Sequence, residues 1–396
     1  MIPTIHPFPA RMAPDLALDM FDELAPASRV LDPMSGSGTV LRQASEMGFH
    51  SIGFDLDPLA VLMSRAWTTP VCDKSIGEIA GQVSEMAKAL CGNFVLPWID
   101  RDTETKEFIR FWFGKKQRSA LRKLALAMHQ LEVSRLGPAK RAALDVVRIA
   151  LSRTIVTKEQ GASLARDASH SRPHKVAEES DFDVFAGLDR SLRQVRRRLI
   201  EHPPWGGTEI SIGDARSLAT LEDGEIDAVL TSPPYLNAID YLRGHRLSLV
   251  WFGHTLSSLR DIRSKSIGAE RAPDAVENHK VNARISKAIC DLDQLAPRYQ
   301  AMVQRYAEDT FLMMSEISRV TKAGGLVTLV VGNSCLKGHF IKNSSGVESA
   351  AKILRMKLLW TKDRELPGRS RYLPVTATGS LAARMRTETV LTFGRT

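Results

Sequence analysis

The chain has 396 residues, of which 43% are hydrophobic and 25% are charged, as in an ordinary globular protein. No apolar run reaches the ~18 residues that a membrane span needs, and the first residues lack a signal-peptide layout. The four cysteines lie far apart without a Cys-x-x-Cys pair, which argues against a zinc site and fits a reducing compartment. We therefore expect a cytoplasmic protein with two domains, or with one domain and a large insertion.

Positive charge is concentrated in one part of the chain. The formal net charge is +9. Residues 101–200 contain 22 Lys and Arg against 12 Asp and Glu, an excess of ten that is larger than the surplus of the whole chain. Such a region is the expected footprint of a polyanionic partner, although a solvated helical surface produces the same pattern.

The first predicted elements surround a glycine-rich turn. In chain order they are a helix at Asp15–Leu24, a strand at Arg29–Asp32, a helix at Val40–Met47, a strand at Ser51–Asp55 and a helix around residues 59–67. The first strand runs into Asp32-Pro33-Met34-Ser35-Gly36-Ser37-Gly38-Thr39. Glycines at this place let the backbone N–H groups of a helix N-terminus approach a ligand closely.

The pattern changes between Pro70 and Gly207. Apolar residues recur there at helical spacing, with Lys and Arg on the other faces. Residues 168–181 are polar and predict a loop, and a last basic helix ends before Pro203-Pro204. We expect a helical insertion between the second and third strands of the sheet.

Strands and helices alternate again after residue 208. A strand at Glu209–Ile212 runs into Gly213-Asp214-Ala215-Arg216, and another at Ile226–Leu230 runs into Thr231-Ser232-Pro233-Pro234-Tyr235. The remaining predictions are an irregular, mobile region at Thr255–Pro297, a helix at Tyr306–Val320, a strand at Gly325–Val331 and a hairpin of Met356–Trp360 with Thr389–Phe393. This order predicts an α/β protein with a mostly parallel sheet and helices on both faces.

Two motifs resemble those of a known family, the S-adenosylmethionine-dependent DNA amino-methyltransferases, which modify cytosine N4 or adenine N6. The run 32–39 is similar to their cofactor motif, with Met34 where the family usually has Phe, and 231–235 is similar to their catalytic motif. The serine-led form of the second motif is more often associated with cytosine N4. The resemblance, over roughly residues 1–70 and 208–335, implies a Rossmann-like class I methyltransferase sheet and S-adenosyl-L-methionine as cofactor.

Acidic residues at three strand ends predict the cofactor site. Asp55 stands where an acid accepts ribose hydroxyls in nucleoside-binding sheets, with Asp57 as a competing candidate, and the resemblance assigns Asp214 to the cofactor's adenine amino group. A dinucleotide site is the main alternative, but its Gly-x-Gly-x-x-Gly spacing differs from the one here. The predicted cofactor-binding residues are Asp32, Pro33, Met34, Ser35, Gly36, Gly38, Thr39, Asp55, Leu56, Asp214 and Ala215. No metal is expected.

The predicted catalytic residues are Ser232, Pro233, Pro234 and Tyr235. Methyl transfer to a weakly nucleophilic exocyclic amine needs acceptors for the amine hydrogens, which Ser232 and the Pro233 carbonyl can provide. Tyr235 can stack on a base flipped out of a duplex. No cysteine lies in the Pro-Cys turn that methylation at cytosine C5 needs. Three residues beyond the motif are open candidates for the base pocket: Asn237, Asp240 and Tyr241.

The predicted organisation has three segments. Residues 1–69 hold the N-terminal segment and the cofactor-binding half, 70–207 the insertion with DNA target recognition, and 208–396 the catalytic half. The expected DNA contacts are Arg196, Arg197 and Arg198. The sequence thus favours a site-specific cytosine-N4 methyltransferase of double-stranded DNA, with a cognate restriction endonuclease as a further candidate partner. Adenine-N6 methylation, RNA base methylation and DNA binding without catalysis are the alternatives, and the oligomeric state is left open.

Overall fold

The computed structural model describes residues 2–8, 12, 20–22, 24–167, 173–236, 240–268, 279–365 and 387–396. Most of the predicted helix at Asp15–Leu24 lies outside the described residues, and so does Asn237. Among the helices that are described, none is both long enough and apolar enough to cross a membrane.

Two short hairpins in the described part of the chain, Ala165–Arg166 with His174–Lys175 and Ser334–Leu336 with His339–Ile341, lie outside the main sheet. The other seven strands form that sheet. They are β1 (Arg29–Asp32), β2 (His50–Asp55), β3 (Thr208–Ile212), β4 (Ile226–Thr231), β5 (Thr321–Gly332), β6 (Lys357–Glu365) and β7 (Thr387–Gly394). Their order across the sheet is β6-β7-β5-β4-β1-β2-β3. Strand β7 runs antiparallel to both of its neighbours, and the other adjacent pairs are parallel. The prediction of a Rossmann-like α/β sheet is confirmed.

Helices cover both faces of this sheet. They are α1 (Thr39–Glu46), α2 (Pro58–Thr68), α3 (Asp73–Ala89), α4 (Pro97–Asp100), α5 (Thr103–Trp112), α6 (Lys115–Val133), α7 (Pro138–Ile155), α8 (Val184–Glu201), α9 (Leu242–Leu249), α10 (Leu256–Lys265), α11 (His279–Ile289), α12 (Pro297–Val320) and α13 (Asn343–Ile353). Side chains alternate along each strand, so Val30 packs with the apolar face of α1 and Leu31 packs on the opposite side with α11, α12 and α13.

The predicted strands in the first half of the chain end within one residue of those observed, and the later elements are longer. Strand β6 continues to Glu365 and is exposed along most of its length. Edge strands exchange backbone hydrogen bonds on one side only and can carry polar residues throughout. An apolar run therefore predicts only the beginning of such a strand.

The region predicted to be irregular, Thr255–Pro297, contains helices α10 and α11. Thr255 caps α10 by accepting a hydrogen bond from the Ser258 backbone N–H, and Leu256 and Leu259 are buried. The prediction was wrong there because α10 has only ten residues and many polar ones, and its apolar side is defined by tertiary packing. Residues 269–278 lie outside the described part.

The helical insertion, α3 to α8, lies between β2 and β3 as predicted, and its core is shared with the segment after the Pro-Pro-Tyr turn. Trp251 packs edge to face against Phe113, with ring centroids 5.0 Å apart. Trp98 donates from its indole N–H to the Val250 carbonyl at 2.9 Å. A continuous apolar core thus joins residues on both sides of the predicted segment boundary at residue 207.

Arg42 of α1 connects the end of α2, just before the insertion, with the end of the insertion. Its side chain is fully buried and donates hydrogen bonds to the carbonyls of Trp67 at 2.6 Å, His202 at 2.9 Å and Pro203 at 3.1 Å. It also pairs with Glu46 at 2.6 Å. Burial lowers the pKa of Arg42, and Glu46 opposes that shift.

We predict that Arg42→Ala lowers the free energy of unfolding by about 3–5 kcal/mol, because three carbonyls and the Glu46 carboxylate lose a fully buried cationic partner. Urea denaturation measures the change. The matched control is Arg197→Ala, whose side chain is 70% exposed, and it should stay within about 0.5 kcal/mol. A loss below about 1 kcal/mol in Arg42→Ala would mean that water replaces the guanidinium.

Candidate active site

The two sequence motifs meet at the carboxyl ends of adjacent strands. Strand β1 pairs in parallel with β4 through Val30–Ala228 and Leu31–Val229. This register places the ends of the two strands side by side, and the Thr231 hydroxyl donates a hydrogen bond of 2.7 Å to Asp32. Ligands of open α/β sheets bind at this edge.

The glycine-rich turn leaves space that other residues would fill. Gly38 adopts φ +84°, and a Cβ there would lie 2.8 Å from Ser64 Oγ. Gly36 adopts φ +51°, and a Cβ there would lie 3.2 Å from the Phe8 ring. Helix α2 is fastened to this turn because Ser64 donates to the Gly36 carbonyl at 2.9 Å. The turn therefore delivers the first N–H groups of α1 to the site without intervening side chains.

Asp55 and Asp57, the two candidates at the end of β2, have different surroundings. Asp55 accepts hydrogen bonds from the backbone N–H groups of Gly36 at 2.8 Å and Asp57 at 2.9 Å. Asp57 caps α2 by accepting from the Leu59 N–H at 2.9 Å and also pairs with His245 at 2.5 Å. Both line the cavity described below, but Asp57 has a structural role in α2 that Asp55 does not have.

Three hydrogen bonds to residues between 306 and 334 hold the Ser-Pro-Pro-Tyr turn in place. The Ser232 hydroxyl donates to the Val330 carbonyl of β5 at 3.0 Å. The Tyr306 hydroxyl donates to the Pro234 carbonyl at 3.2 Å. Further along, Ser334 donates to the Leu236 carbonyl at 2.7 Å. Because the proton of Ser232 is used by Val330, the lone pairs of its oxygen are available as acceptors.

A single cavity of about 510 Å³ connects both motifs, a size typical of small-molecule sites. With the exception of Gly38, all the residues predicted for cofactor binding and catalysis line it: Asp32, Pro33, Met34, Ser35, Gly36, Thr39, Asp55, Leu56, Asp214, Ala215, Ser232, Pro233, Pro234 and Tyr235. Asp240 and Tyr241, the open candidates for the base pocket, also line it.

The cavity contains polar groups that lack a partner. Ser35 Oγ and Thr39 Oγ1 are buried and make no hydrogen bond within the described residues. Buried polar atoms are normally satisfied, so these two hydroxyls fit a polar ligand bound beside the glycine-rich turn. No group of three or more His, Cys, Asp or Glu in the described ranges could hold a metal ion.

Asp214 lies in the cavity wall with its carboxylate held by Arg216, whose nitrogen approaches it to 2.7 Å. Arg216 also pairs with Asp309 of α12. Although burial opposes it, these carboxylates raise the pKa of Arg216. The position of Asp214 is therefore set by a residue two places along the chain and by α12.

Sequence reasoning did not find several residues that shape the site. The Phe8 ring stacks on Tyr241 with centroids 5.1 Å apart and an interplanar angle of 23°, and it tilts against His245 at 5.7 Å. His245 and Tyr306 had no local signal in the sequence. Phe8 belongs to the Pro-rich start of the chain. The position of that segment directly before the first strand was the one sequence feature that could have indicated a contact with the site.

The three arginines predicted to contact DNA have different environments. Arg196 forms two hydrogen bonds of 2.6 Å to Asp73 of α3, and Arg198 donates to the Thr4 carbonyl. Arg197 is 70% exposed, with Glu201 at 3.7 Å. Two of the three side chains therefore hold α8 to its neighbours, and Arg197 is directed to solvent.

The acids at the ends of β1 and β2 are buried. Burial raises the pKa of Asp32 to about 7, while the hydrogen bonds from Thr231 and Met34 oppose the shift. Burial and the neighbouring Asp57 carboxylate raise the pKa of Asp55 to about 6. Between about pH 4 and these values the folded protein holds protons that the unfolded chain has already lost.

We predict that Asp32→Asn flattens the pH dependence of stability. A raised folded-state pKa makes stability fall as pH rises, here between about 4 and about 7. From pH 5 to pH 8 the wild type should lose about 3 kcal/mol relative to Asp32→Asn. Urea denaturation without ligand tests this. Asp227→Asn is the control. Burial would raise the pKa of Asp227, but hydrogen bonds and ion pairs outweigh burial and lower it. Asp227 is therefore ionised in both the folded and the unfolded state above pH 5, and its removal should leave the slope unchanged. Parallel curves for Asp32→Asn and the wild type would contradict the prediction.

No family model matches the chain. The type II methyltransferase M.MvaI of Kocuria varians is 23% identical to it over 421 residues, an alignment that covers 98% of this chain and 89% of that protein. The type II methyltransferase M.BsoBI of Geobacillus stearothermophilus is 22% identical over 315 residues, covering 74% of this chain and 58% of that protein.

Among solved structures, a SAM-dependent methyltransferase from Methanosarcina mazei aligns with a TM-score of 0.32 and 9% identity, over 95% of this chain and 96% of that one. The resemblance inferred from the two motifs is confirmed, since the chain is similar over nearly its whole length to a type II methyltransferase.

Proposed function

We propose that this protein is a DNA methyltransferase that transfers a methyl group from S-adenosyl-L-methionine to the exocyclic N4 amine of cytosine in double-stranded DNA. The observation that carries the proposal is the fixed orientation of Ser232. The Ser232 hydroxyl donates its proton to the Val330 carbonyl, and Ser232 lines the same cavity as Asp32 and Asp55. Similarity to type II methyltransferases supports the reaction class.

The cofactor half of the cavity suits S-adenosyl-L-methionine, which supplies an electrophilic methyl group on a sulfonium centre. Asp55 would accept hydrogen bonds from the ribose hydroxyls, and Asp32 would lie near the positively charged methionine part. The unpartnered hydroxyls of Ser35 and Thr39 contribute hydrogen bonds beside the glycine-rich turn. A bound cation also favours the ionised forms of these acids, which opposes the effect of burial on their pKa values.

The substrate half of the cavity orients the amine. Ser232 Oγ and the Pro233 carbonyl accept hydrogen bonds from the two N–H groups of the amine. The nitrogen lone pair then points away from these two oxygens and along the line of transfer. The Pro234 carbonyl is already engaged by Tyr306. S-adenosyl-L-methionine, when bound, would supply the methyl group: the amine nitrogen would bond to the methyl carbon as the carbon–sulfur bond breaks, sulfur would keep that electron pair, and the amine would lose one proton to solvent.

Aromatic side chains suit a base that has left the duplex. Tyr235 lines the cavity and stacks on the flipped base, because an aromatic platform replaces the stacking that the base loses. The stacked pair of Phe8 and Tyr241 extends this wall. We further propose that residues 70–207 contribute to target recognition and that Arg197 is one of their contacts with DNA.

Mass spectrometry of nucleosides tests the proposal. DNA and RNA from a host that expresses the protein are digested and compared with those from a host that carries the empty vector. N4-methylcytosine in DNA is the expected product. N6-methyladenine would change the assigned base, a modified RNA base would change the substrate class, and unmodified nucleic acid would reject methyl transfer.

We predict that Asp55→Ala weakens binding of S-adenosylhomocysteine by about 10- to 100-fold, because the ribose hydroxyls lose a charge-assisted acceptor. Isothermal titration calorimetry measures the dissociation constant. Asp181→Ala, whose side chain is 94% exposed, is the matched control and should bind as the wild type does. An unchanged constant for Asp55→Ala, with a weaker one for Asp57→Asn, would move the role to Asp57.

We predict that Ser232→Ala lowers kcat about 100- to 1,000-fold, since it removes an acceptor that acts mainly in the transition state. Binding of S-adenosylhomocysteine should persist. Tyr235→Phe should keep most activity because it retains the stacking ring, whereas Tyr235→Ala should lose it. Transfer of tritiated methyl groups to DNA measures these rates. Near wild-type turnover in Ser232→Ala would refute the catalytic assignment.

A further inference from the structure

A second cavity, of about 290 Å³, adjoins the first and is rich in arginine. Its charged lining consists of Arg243, Arg246, Arg260, Arg263, Glu104 and Asp240. Four arginines against two carboxylates leave a surplus of two positive charges. Both cavities share Asp240, Leu242, Arg260 and Arg263 as lining residues. The arginine cavity therefore lies at the mouth of the space that receives the base.

The spacing of the arginines places them on common helix faces. Arg243 and Arg246 are three residues apart on α9, and Arg260 and Arg263 are three residues apart on α10. Residues at this spacing are neighbours on one side of a helix. Since α9 and α10 are consecutive and in contact, the two pairs face one space.

Two of the four arginines form ion pairs with carboxylates of the same chain. Arg263 pairs with Asp240 at 2.7 Å, and Arg260 pairs with Glu104 of the insertion. The arginine side chains of both pairs are exposed, Arg263 by 59% and Arg260 by 61%, and their carboxylate partners are 28% exposed in Asp240 and 50% exposed in Glu104. Exposed ion pairs contribute little to stability, so another anion can replace the carboxylates at low cost.

The remaining two arginines have no carboxylate within ion-pair distance among the described residues, although the charges of Asp240 and Glu104 act on Arg246 from further away. Arg243 is exposed. Arg246 lies over the Phe108 ring at 5.1 Å from its centroid, and its Nε is buried without a hydrogen-bond partner in the described ranges. A guanidinium packed over an aromatic ring is restrained in position, and its fork of N–H donors suits bidentate contact with a phosphate.

We propose that this cavity binds the backbone phosphates that flank the flipped nucleotide, with Arg243, Arg246, Arg260 and Arg263 as the phosphate-binding residues. A base inserted into the first cavity remains joined through its sugar to these phosphates, so they must lie at the mouth where Arg260 and Arg263 stand. Without DNA, Glu104 pairs with Arg260 and Asp240 pairs with Arg263. When DNA binds, its phosphates replace these two carboxylates. This inference rests on the proposed methylation of DNA.

The test compares two double variants that remove the same charge. Arg243→Ala/Arg263→Ala removes two proposed phosphate contacts. Arg355→Ala/Lys357→Ala removes two exposed cations near the start of β6, at the sheet edge opposite the site. Fluorescence anisotropy with a labelled DNA duplex gives the affinity at several salt concentrations. Calorimetry with S-adenosylhomocysteine tests whether the cofactor site is intact.

The first double variant should bind DNA about 10- to 100-fold more weakly at physiological salt, and the slope of log K against log salt should flatten by about 1.8. The second should keep the wild-type affinity and slope. If the first variant loses S-adenosylhomocysteine binding, the single variant Arg243→Gln replaces it, with an expected flattening of about 0.9. Wild-type affinity and slope in both cavity variants would overturn the phosphate site.

The outcomes separate this inference from the proposed function. If the wild type binds DNA with a steep salt slope that the cavity variants flatten, but nucleoside analysis finds no methylated DNA, the phosphate site stands and the proposed reaction fails. If methylated cytosine is found and the cavity variants retain the wild-type slope, the reaction stands and the phosphate site fails.

Discussion

The site depends on one parallel strand pair, β1 with β4, and on the hydrogen bond of 2.7 Å between Thr231 and Asp32 that joins their ends. These residues are 199 positions apart in the chain. The sheet brings them together because both strands are buried and neighbouring in the strand order. Asp32 also lines the cavity, so this hydrogen bond holds the two motifs together at the cavity wall.

Local signals in the sequence were sufficient for the parts of the fold and the site that depend on neighbouring residues. The strand, glycine turn and helix around Gly36 and Gly38 follow from residue types a few positions apart, and so does the turn at Pro233 and Pro234. The extent of β6 was not predictable in this way, because it depends on pairing with β7, which is distant in sequence. The early start of α12 did have a local signal, the proline at its first position, which the prediction from apolar spacing missed.

Side-chain partners across long sequence separations could not be predicted at all. The sequence identifies Arg42 as a cation in a helix, but its acceptors Trp67 and His202 are 25 and 160 residues away. The same applies to Tyr306, which supports the Pro234 carbonyl from α12. These contacts decide whether a polar side chain holds the protein together or is available to a ligand, and composition does not distinguish the two.

Charge illustrates this limit most clearly. The run 196–198 is the most conspicuous basic feature of the sequence, but successive residues of a helix project in different directions, about 100° apart. Consequently Arg196 turns inward to Asp73 and only Arg197 is directed to solvent. Arginines three residues apart, such as 243 with 246 and 260 with 263, share one helix face instead. A surface that grips a phosphate backbone needs several guanidinium groups on one side, and the helical period supplies this through spaced pairs rather than through a consecutive run.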